Sequence, residues 1–144
     1  MVTFLSFYKI IFRRYVYLIL ESFTIITNNP MMSDSDFRSY IEFYNVSIEG
    51  ILQIVRKRIH KGFCLLTHPL SGSVKPTETP YKSVMITNKD GNIDMLSLKI
   101  IESALESCNK FNFKTYKYDE NILKDFQLID FELMKSALSS CKFL

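Results

Sequence analysis

The sequence predicts a three-layer α/β sandwich with a small, largely parallel sheet of four to five strands and one antiparallel strand. Short β-branched or apolar runs alternate with amphipathic helical stretches along the chain, which is the pattern of a sheet covered by helices on both faces. The 144 residues suffice for one domain and are too few for two. The content of 47% hydrophobic and 23% charged residues is typical of a globular protein.

An apolar and aromatic extension, residues 1–20, precedes the domain, which we place at residues 21–144. Lys9, Arg13 and Arg14 interrupt it, so no uncharged run approaches the roughly 18 residues of a membrane span. These charges lie in the middle of the apolar stretch, whereas a secretory signal carries its charge first. We hypothesise that translation begins near Leu18, because Arg13 and Arg14 encoded by AGG-AGG would form a ribosome-binding sequence.

The net charge of +3 does not indicate a nucleic-acid partner. The extension holds three basic residues and no acid, which leaves 15 basic and 15 acidic residues in the rest of the chain. A nucleic-acid binder needs a basic patch on its folded surface. The three cysteines, Cys64, Cys108 and Cys141, are odd in number and widely spaced, so they predict no disulfide framework and favour the reducing cytoplasm.

The first part of the domain predicts two strands. Phe23–Thr27 is β-branched and apolar, as in a core strand, and Asn28-Asn29-Pro30 ends it. Residues 31–37 are rich in Ser and Asp, which predicts a loop or a short capped helix. Residues 40–46 alternate between apolar and polar side chains and predict the second strand.

The clearest helix begins after Ser47, whose hydroxyl can cap it, and ends before Gly62, which suits the C′ position. Basic residues crowd its last turn, where cations meet the negative end of the helix; a solvated helix end is the commoner explanation of such a cluster than an anion site. The apolar stripe of this helix comprises Ile48, Ile51, Leu52, Val55 and Ile59.

The second part predicts two more strands and further helices. Residues 63–67 form the third strand and residues 83–87 the fourth, antiparallel to the third because the loop between them is too short for a crossover helix. After a turn at 88–91, a helix capped by Asp94 spans about residues 93–110. Residues 111–118 predict an edge strand, and residues 119–141 one or two helices.

The polar loop at residues 67–79 is the best candidate for a functional site. Ser71-Gly72-Ser73 with Lys75 is suited to cradling an anion, since Gly lets backbone N–H groups approach while hydroxyls donate and Lys supplies charge. Alternatively, the prolines order this loop and the hydroxyls bond locally. The loop lacks the glycine and lysine spacing of a P-loop and of a dinucleotide-binding turn.

If strands one and three are parallel neighbours, Asn28 and Asn29 come together with this loop at the carboxyl edge of the sheet. His68 is there a possible general base, nucleophile or ligand, and the paired amides either orient a ligand or satisfy backbone groups. His60, His68 and Cys64 lack convincing metal-ligand spacing, so no metal or cofactor is predicted. The candidate ligand-binding residues are Asn28, Asn29, His68, Ser71, Gly72, Ser73, Lys75, Thr77, Glu78 and Tyr81.

Three segments resemble the GrdX family, small proteins encoded with glycine reductase. They are Ile26-Thr-Asn-Asn-Pro30, the long run Leu66-Thr-His-Pro-Leu-Ser-Gly-Ser-Val-Lys-Pro-x-Glu-Thr-Pro-Tyr-Lys-Ser83, and Asp125-Phe-Gln-Leu-Ile-Asp130. The resemblance covers about residues 23–135. It implies a cytoplasmic accessory of glycine, sarcosine or betaine reductase systems, and it transfers no catalytic residue because the family has no established activity.

Two functions therefore compete. The first is an accessory protein whose loop face docks subunits of the reductase complex. The second is a small enzyme or sensor that binds a phosphorylated or carboxylated metabolite, such as an acyl phosphate, at the loop from His68 to Lys75. Neither a nucleic acid nor a membrane is an expected partner, and the residues decide neither for nor against catalysis.

Overall fold

A computed structural model describes residues 23–70, 78–88, 91–110 and 118–142, which form a three-stranded sheet with helices on both faces. The strands are β1 (Phe23–Thr27), β2 (Ile41–Phe43) and β3 (Ser83–Thr87), in the order β2-β1-β3. The central strand β1 pairs parallel with β2 and antiparallel with β3. The limits of β1 and β3 agree with the sequence prediction, while β2 is shorter than predicted.

The helices are α1 (Pro30–Ser33), α2 (Ile48–His60), α3 (Met95–Lys110) and α4 (Glu120–Lys142). A short 3-10 helix, Arg38–Tyr40, leads into β2. The stretch predicted as one or two C-terminal helices is thus the single helix α4. None of the helices in the described ranges is long and apolar enough to cross a membrane.

The mixed α/β class is confirmed, but the described residues contain a mixed sheet of three strands rather than four or five largely parallel ones. Residues 63–67, predicted as the third strand, make one antiparallel bridge, Leu65 with Ile86. The backbone N–H of Leu65 donates to Ser97 Oγ, and that of Cys64 donates to Thr87 Oγ1, both at 2.9 Å. The Thr87 hydroxyl thus accepts the Cys64 N–H that would otherwise extend the ladder with β3, while two backbone bonds, Leu66 N–H to Met85 O and Thr87 N–H to Cys64 O at 2.9 Å, are formed.

β1 and residues 63–67 are not the parallel neighbours considered from the sequence, because β3 lies between them. Since both β1 and residues 63–67 run antiparallel to β3, their C-terminal ends still point to the same edge of the sheet. The predicted edge strand at residues 111–118 lies outside the described residues except for Tyr118.

Local signals set the ends of α2 as predicted. Ser47 Oγ accepts the backbone N–H of Gly50 at 3.2 Å and caps the helix. Gly62 follows the C-terminal end with φ of 98°, a conformation that favours glycine. A Cβ on Gly62 would lie 1.9 Å from the carbonyl oxygen of Gly91, so this close approach of two backbones also requires glycine. Asp94 caps α3 by accepting the N–H of Ser97 at 2.8 Å.

Alternate side chains of the sheet enter two separate cores, because successive residues of a strand point to opposite faces. Ile26, Val84 and Ile86 pack with α2 and α3 on one face. Ile25 and Met85 pack on the other face, beside the helices α1 and α4. The sheet is therefore the middle layer of three, and α4 covers the face that carries the candidate site.

Candidate functional site

Polar residues collect at the edge of the sheet where β1 ends and β3 begins. Thr27 at the end of β1 pairs with Ser83 at the start of β3, so the residues that follow β1 and those that precede β3 are neighbours. Helix α4 packs against both β3 and α1 near this point. We call this group the polar edge; it comprises Thr27, Asn28, Asn29, Lys82, Ser83 and Asp130.

Asp130 is the central acceptor of the polar edge. It projects from α4 and is only 7% exposed. Its Oδ1 accepts the backbone N–H of Ser83 at 3.0 Å, and its Oδ2 accepts the Ser83 hydroxyl at 2.6 Å and the side-chain amide of Asn29 at 3.0 Å. Three donors thus offset the cost of burying this carboxylate and fix α4 to the sheet.

The hydroxyl groups of the polar edge form a directed chain. A carboxylate only accepts, so the Ser83 hydroxyl donates to Asp130. The Ser83 oxygen must then accept from the Thr27 hydroxyl, 2.7 Å away, and the Thr27 oxygen accepts the backbone N–H of Asn29 at 2.9 Å. Because each donor polarises the next, the chain is a cooperative and rigid unit. The Ser83 proton is committed to Asp130 within it.

Asn29 is fully buried and joins three elements. Its side-chain oxygen accepts the N–H of Met31 at 3.0 Å and caps α1. Its side-chain amide donates to the carbonyl oxygen of Gln127 at 2.9 Å, besides the bond to Asp130. The Asn29 amide therefore binds the chain itself, which is the structural alternative the sequence left open.

Asn28 holds the end of the polar loop. Its side-chain amide donates to the carbonyl oxygens of Val46 and Pro80 at 2.9 and 2.8 Å. Its side-chain oxygen accepts the backbone N–H of Lys82 at 2.8 Å. Residues 80–82 are thereby fixed beside the end of β1, and contact of Asn28 with a ligand stays a prediction.

Lys82 brings a positive charge to this edge. Burial lowers the pKa of the Lys82 ammonium, and the negative charge of Asp130 opposes that shift only in part. The pKa of His68 is also below its ordinary value, first through desolvation and second through the charge of Lys82. His68 Nδ1 accepts the N–H of Leu70 at 3.1 Å, which places the proton of the neutral ring on Nε2.

A cavity of about 70 Å³ lies between α4 and the polar edge. Its lining includes one cation, Lys82, and one anion, Asp130 of α4, while the other α4 residues that line it are apolar. Thr67 Oγ1 accepts the N–H of Met85 at 2.9 Å, so the oxygen is held in place and its own proton can be donated. The lining residues are Thr67, Lys82, Ser83, Asp130, Leu133, Met134 and Ala137.

The structure brings only some of the predicted site residues together. The side chain of Tyr81 reaches α4, where its hydroxyl oxygen accepts from Gln127 at 3.0 Å. Glu78 is exposed, and its carbonyl oxygen accepts the Tyr118 hydroxyl at 2.6 Å. Asn28 and Asn29 lie at the polar edge. His68 is linked to this edge through the charge of Lys82, which lowers the pKa of His68. Ser71, Gly72, Ser73, Lys75 and Thr77 lie outside the described residues.

The list of predicted site residues omitted Thr67, Lys82, Ser83 and Asp130. A signal for Asp130 was present in the 125–130 segment, where Gln127 and Asp130 are three residues apart and share one face of a helix. Both bond to Asn29. Within the described ranges, no three His, Cys, Asp or Glu side chains are grouped so as to hold a metal ion.

A family model described as GrdX-like protein matches residues 24–139. The matched region runs from β1 into α4 and includes every residue of the polar edge. Comparisons with curated proteins and with solved structures returned no match.

Proposed function

Because the chain belongs to the GrdX-like family, we propose that it is an accessory protein of the glycine, sarcosine or betaine reductase systems that acts by binding. The resemblance of the chain to the GrdX family, small proteins encoded with glycine reductase, supports this context. The docking surface of the chain is the polar edge together with the loop between Thr67 and Lys82, where subunits of the reductase complex bind.

The observation that carries this proposal is the way in which the loop is anchored. Thr67 bonds to β3 where the loop begins, and Asn28 bonds to Pro80 and Lys82 where it ends. Both anchors lie at one edge of the sheet. A loop whose ends are fixed on a rigid scaffold is a common carrier of binding residues, because the scaffold limits the conformations that binding must order.

The bonding of the polar edge favours binding over covalent catalysis. A nucleophilic hydroxyl needs a partner that takes its proton as the bond to substrate forms. The Ser83 hydroxyl donates to Asp130, but Ser83 is buried and its oxygen also accepts from the Thr27 hydroxyl, so this oxygen is engaged in two hydrogen bonds rather than open to a substrate. These bonds stabilise the polar edge as it stands.

The experiment is a pull-down of purified reductase subunits by the tagged full chain. The site variant combines His68→Ala with Lys75→Ala, and the control combines His60→Ala with Lys61→Ala, an exposed histidine and lysine at the end of α2. We expect the wild type and the control to retain the subunits and the site variant to lose them. Equal retention by the site variant contradicts docking through this face.

A second candidate function is the binding of a carboxylated or phosphorylated metabolite at the same face. The observation that favours it is that Lys82 is partly buried, is electrostatically coupled to His68 and lines a cavity. A partly buried ammonium attracts an anion more strongly than a fully exposed one, because less water screens its charge. A thermal-shift screen with phosphate, acetyl phosphate and glycine in which none raises the Tm contradicts this function.

A further inference from the structure

The cavity beside Lys82 is lined by two opposite charges, which restrict the chemistry of a ligand more than a positive charge alone would. Lys82 and Asp130 both line it, with the Thr67 hydroxyl beside them. Asp130 accepts three hydrogen bonds from described residues, and a carboxylate has about four acceptor sites. The cavity is therefore lined by an ammonium, a hydroxyl and a carboxylate.

The size of the cavity limits the ligand further. A water molecule occupies at least about 10–15 Å³ of such a cavity, so about 70 Å³ admits roughly five non-hydrogen atoms, the size of glycine. The α4 residues that line the cavity beside Asp130 are Leu133, Met134 and Ala137, which suit a methylene or a methyl group but no further charge. Leu133 is 42% exposed and leaves the cavity open to solvent on that side.

We infer that this cavity binds a small α-amino acid zwitterion, with its carboxylate against Lys82 and Thr67 and its ammonium against Asp130. This inference rests on the second proposed function and specifies its ligand. Each charge of the ligand then lies against the opposite charge of the cavity, so neither Lys82 nor Asp130 faces a like charge.

The same geometry selects against phosphorylated ligands. Phosphate carries more than one negative charge at pH 7, so one of its oxygens would face the Asp130 carboxylate. A simple carboxylate such as acetate satisfies Lys82 but leaves Asp130 without the additional donor. Burial lowers the pKa of Lys82, and a bound carboxylate would raise it again, which couples binding to the charged form of the lysine.

The test measures binding of four probes to the full chain by calorimetry at pH 7. Glycine presents both charges, acetate only the carboxylate, methylammonium only the ammonium, and inorganic phosphate a larger negative charge. We expect glycine to bind at least about tenfold more tightly than each of the other three, since it gains one further charge-assisted contact.

Two variants locate the site independently. Lys82→Met removes the cation, and Ala137→Leu fills the apolar part of the lining without replacing a polar side chain. Each should weaken glycine binding at least about tenfold. Lys135→Met and Ser139→Leu, at exposed positions of α4, are the matched controls and should bind as the wild type does. Circular dichroism of all four variants checks that they are folded.

The outcomes separate the inference from the function on which it rests. If acetate or phosphate binds as tightly as glycine and Lys82→Met abolishes that binding, anion binding stands and the zwitterion inference is overturned. If glycine binds equally to the folded Ala137→Leu variant, the cavity is not its site. If no probe binds, both are overturned.

Discussion

Replacing Asp130 by Asn tests whether the polar edge depends on a carboxylate. The two oxygens of Asp130 face donors on both sides, the Ser83 N–H on one and the Asn29 amide with the Ser83 hydroxyl on the other. Asn offers one oxygen and one amino group. Whichever way it turns, the amino group faces a backbone or amide N–H that can only donate.

The expected loss follows from that mismatch. One buried donor without an acceptor costs about 1–3 kcal/mol, and the bonds that remain become weaker because the substituted side chain is a neutral acceptor. We expect the free energy of unfolding to fall by about 2–4 kcal/mol. Since domains of this kind are stable by about 5–15 kcal/mol, the variant should still fold.

The assay is urea unfolding followed by circular dichroism at pH 7. The control is Asp125→Asn, the same chemical change at an exposed position of α4, which should stay within about 0.5 kcal/mol of the wild type. Ser83→Ala combined with Asp130→Asn should cost less than the sum of the two, because both break the same bonds. If Asp130→Asn destabilises no more than the control does, the carboxylate does not hold the edge.

Three further predictions concern other described residues. Gly62→Ala should lower the free energy of unfolding by about 2 kcal/mol or more through its positive φ and the clash with Gly91, whereas Gly91→Ala, whose Cβ meets open space, should stay within about 0.5 kcal/mol in the same urea assay. In an NMR titration, the pKa of His68 should lie below 6.5, the ordinary imidazole value, and Lys82→Met should raise it. Because the unfolded chain binds this proton more readily, the free energy of unfolding should fall as the pH drops below 6.5. A titration midpoint at or above 6.5 refutes the reasoning. Burial raises the pKa of the Cys108 thiol, so peptide mass spectrometry should show Cys108 alkylated by iodoacetamide at about pH 7.5 only after unfolding; rapid native labelling would contradict its burial.

The parts of the fold that the sequence predicts correctly depend on local signals. The limits of β1 and β3 follow from runs of β-branched residues, and those of α2 follow from Ser47 at one end and Gly62 at the other. Each signal acts within a few residues, so one sequence suffices to identify it. Residues 63–67 look like a strand by the same criterion, yet the Thr87 hydroxyl takes the Cys64 N–H that a longer ladder with β3 would use. That competition depends on a residue 23 positions away, which no local pattern reports.

The candidate site shows the same division. The amides Asn28 and Asn29 stand out where a strand ends, and the structure places them at the edge of the sheet. Their partners do not stand out, because Asp130 is one of several acids along an amphipathic helix. Its position opposite Ser83 depends on how α4 packs on the sheet, a contact between residues 47 positions apart. Local sequence thus located the edge but not the charge that completes it.

The bond between Asn29 and Asp130 has a consequence for synthesis. The two residues are 101 positions apart, and ribosomes add about 5–20 residues per second, so β1 is made roughly 5–20 seconds before the carboxylate exists. During that interval Asn29 and Ser83 lack the acceptor that unites them. The polar edge therefore closes only when α4 arrives, and a chain that stops before Asp130 ends translation with this edge unassembled.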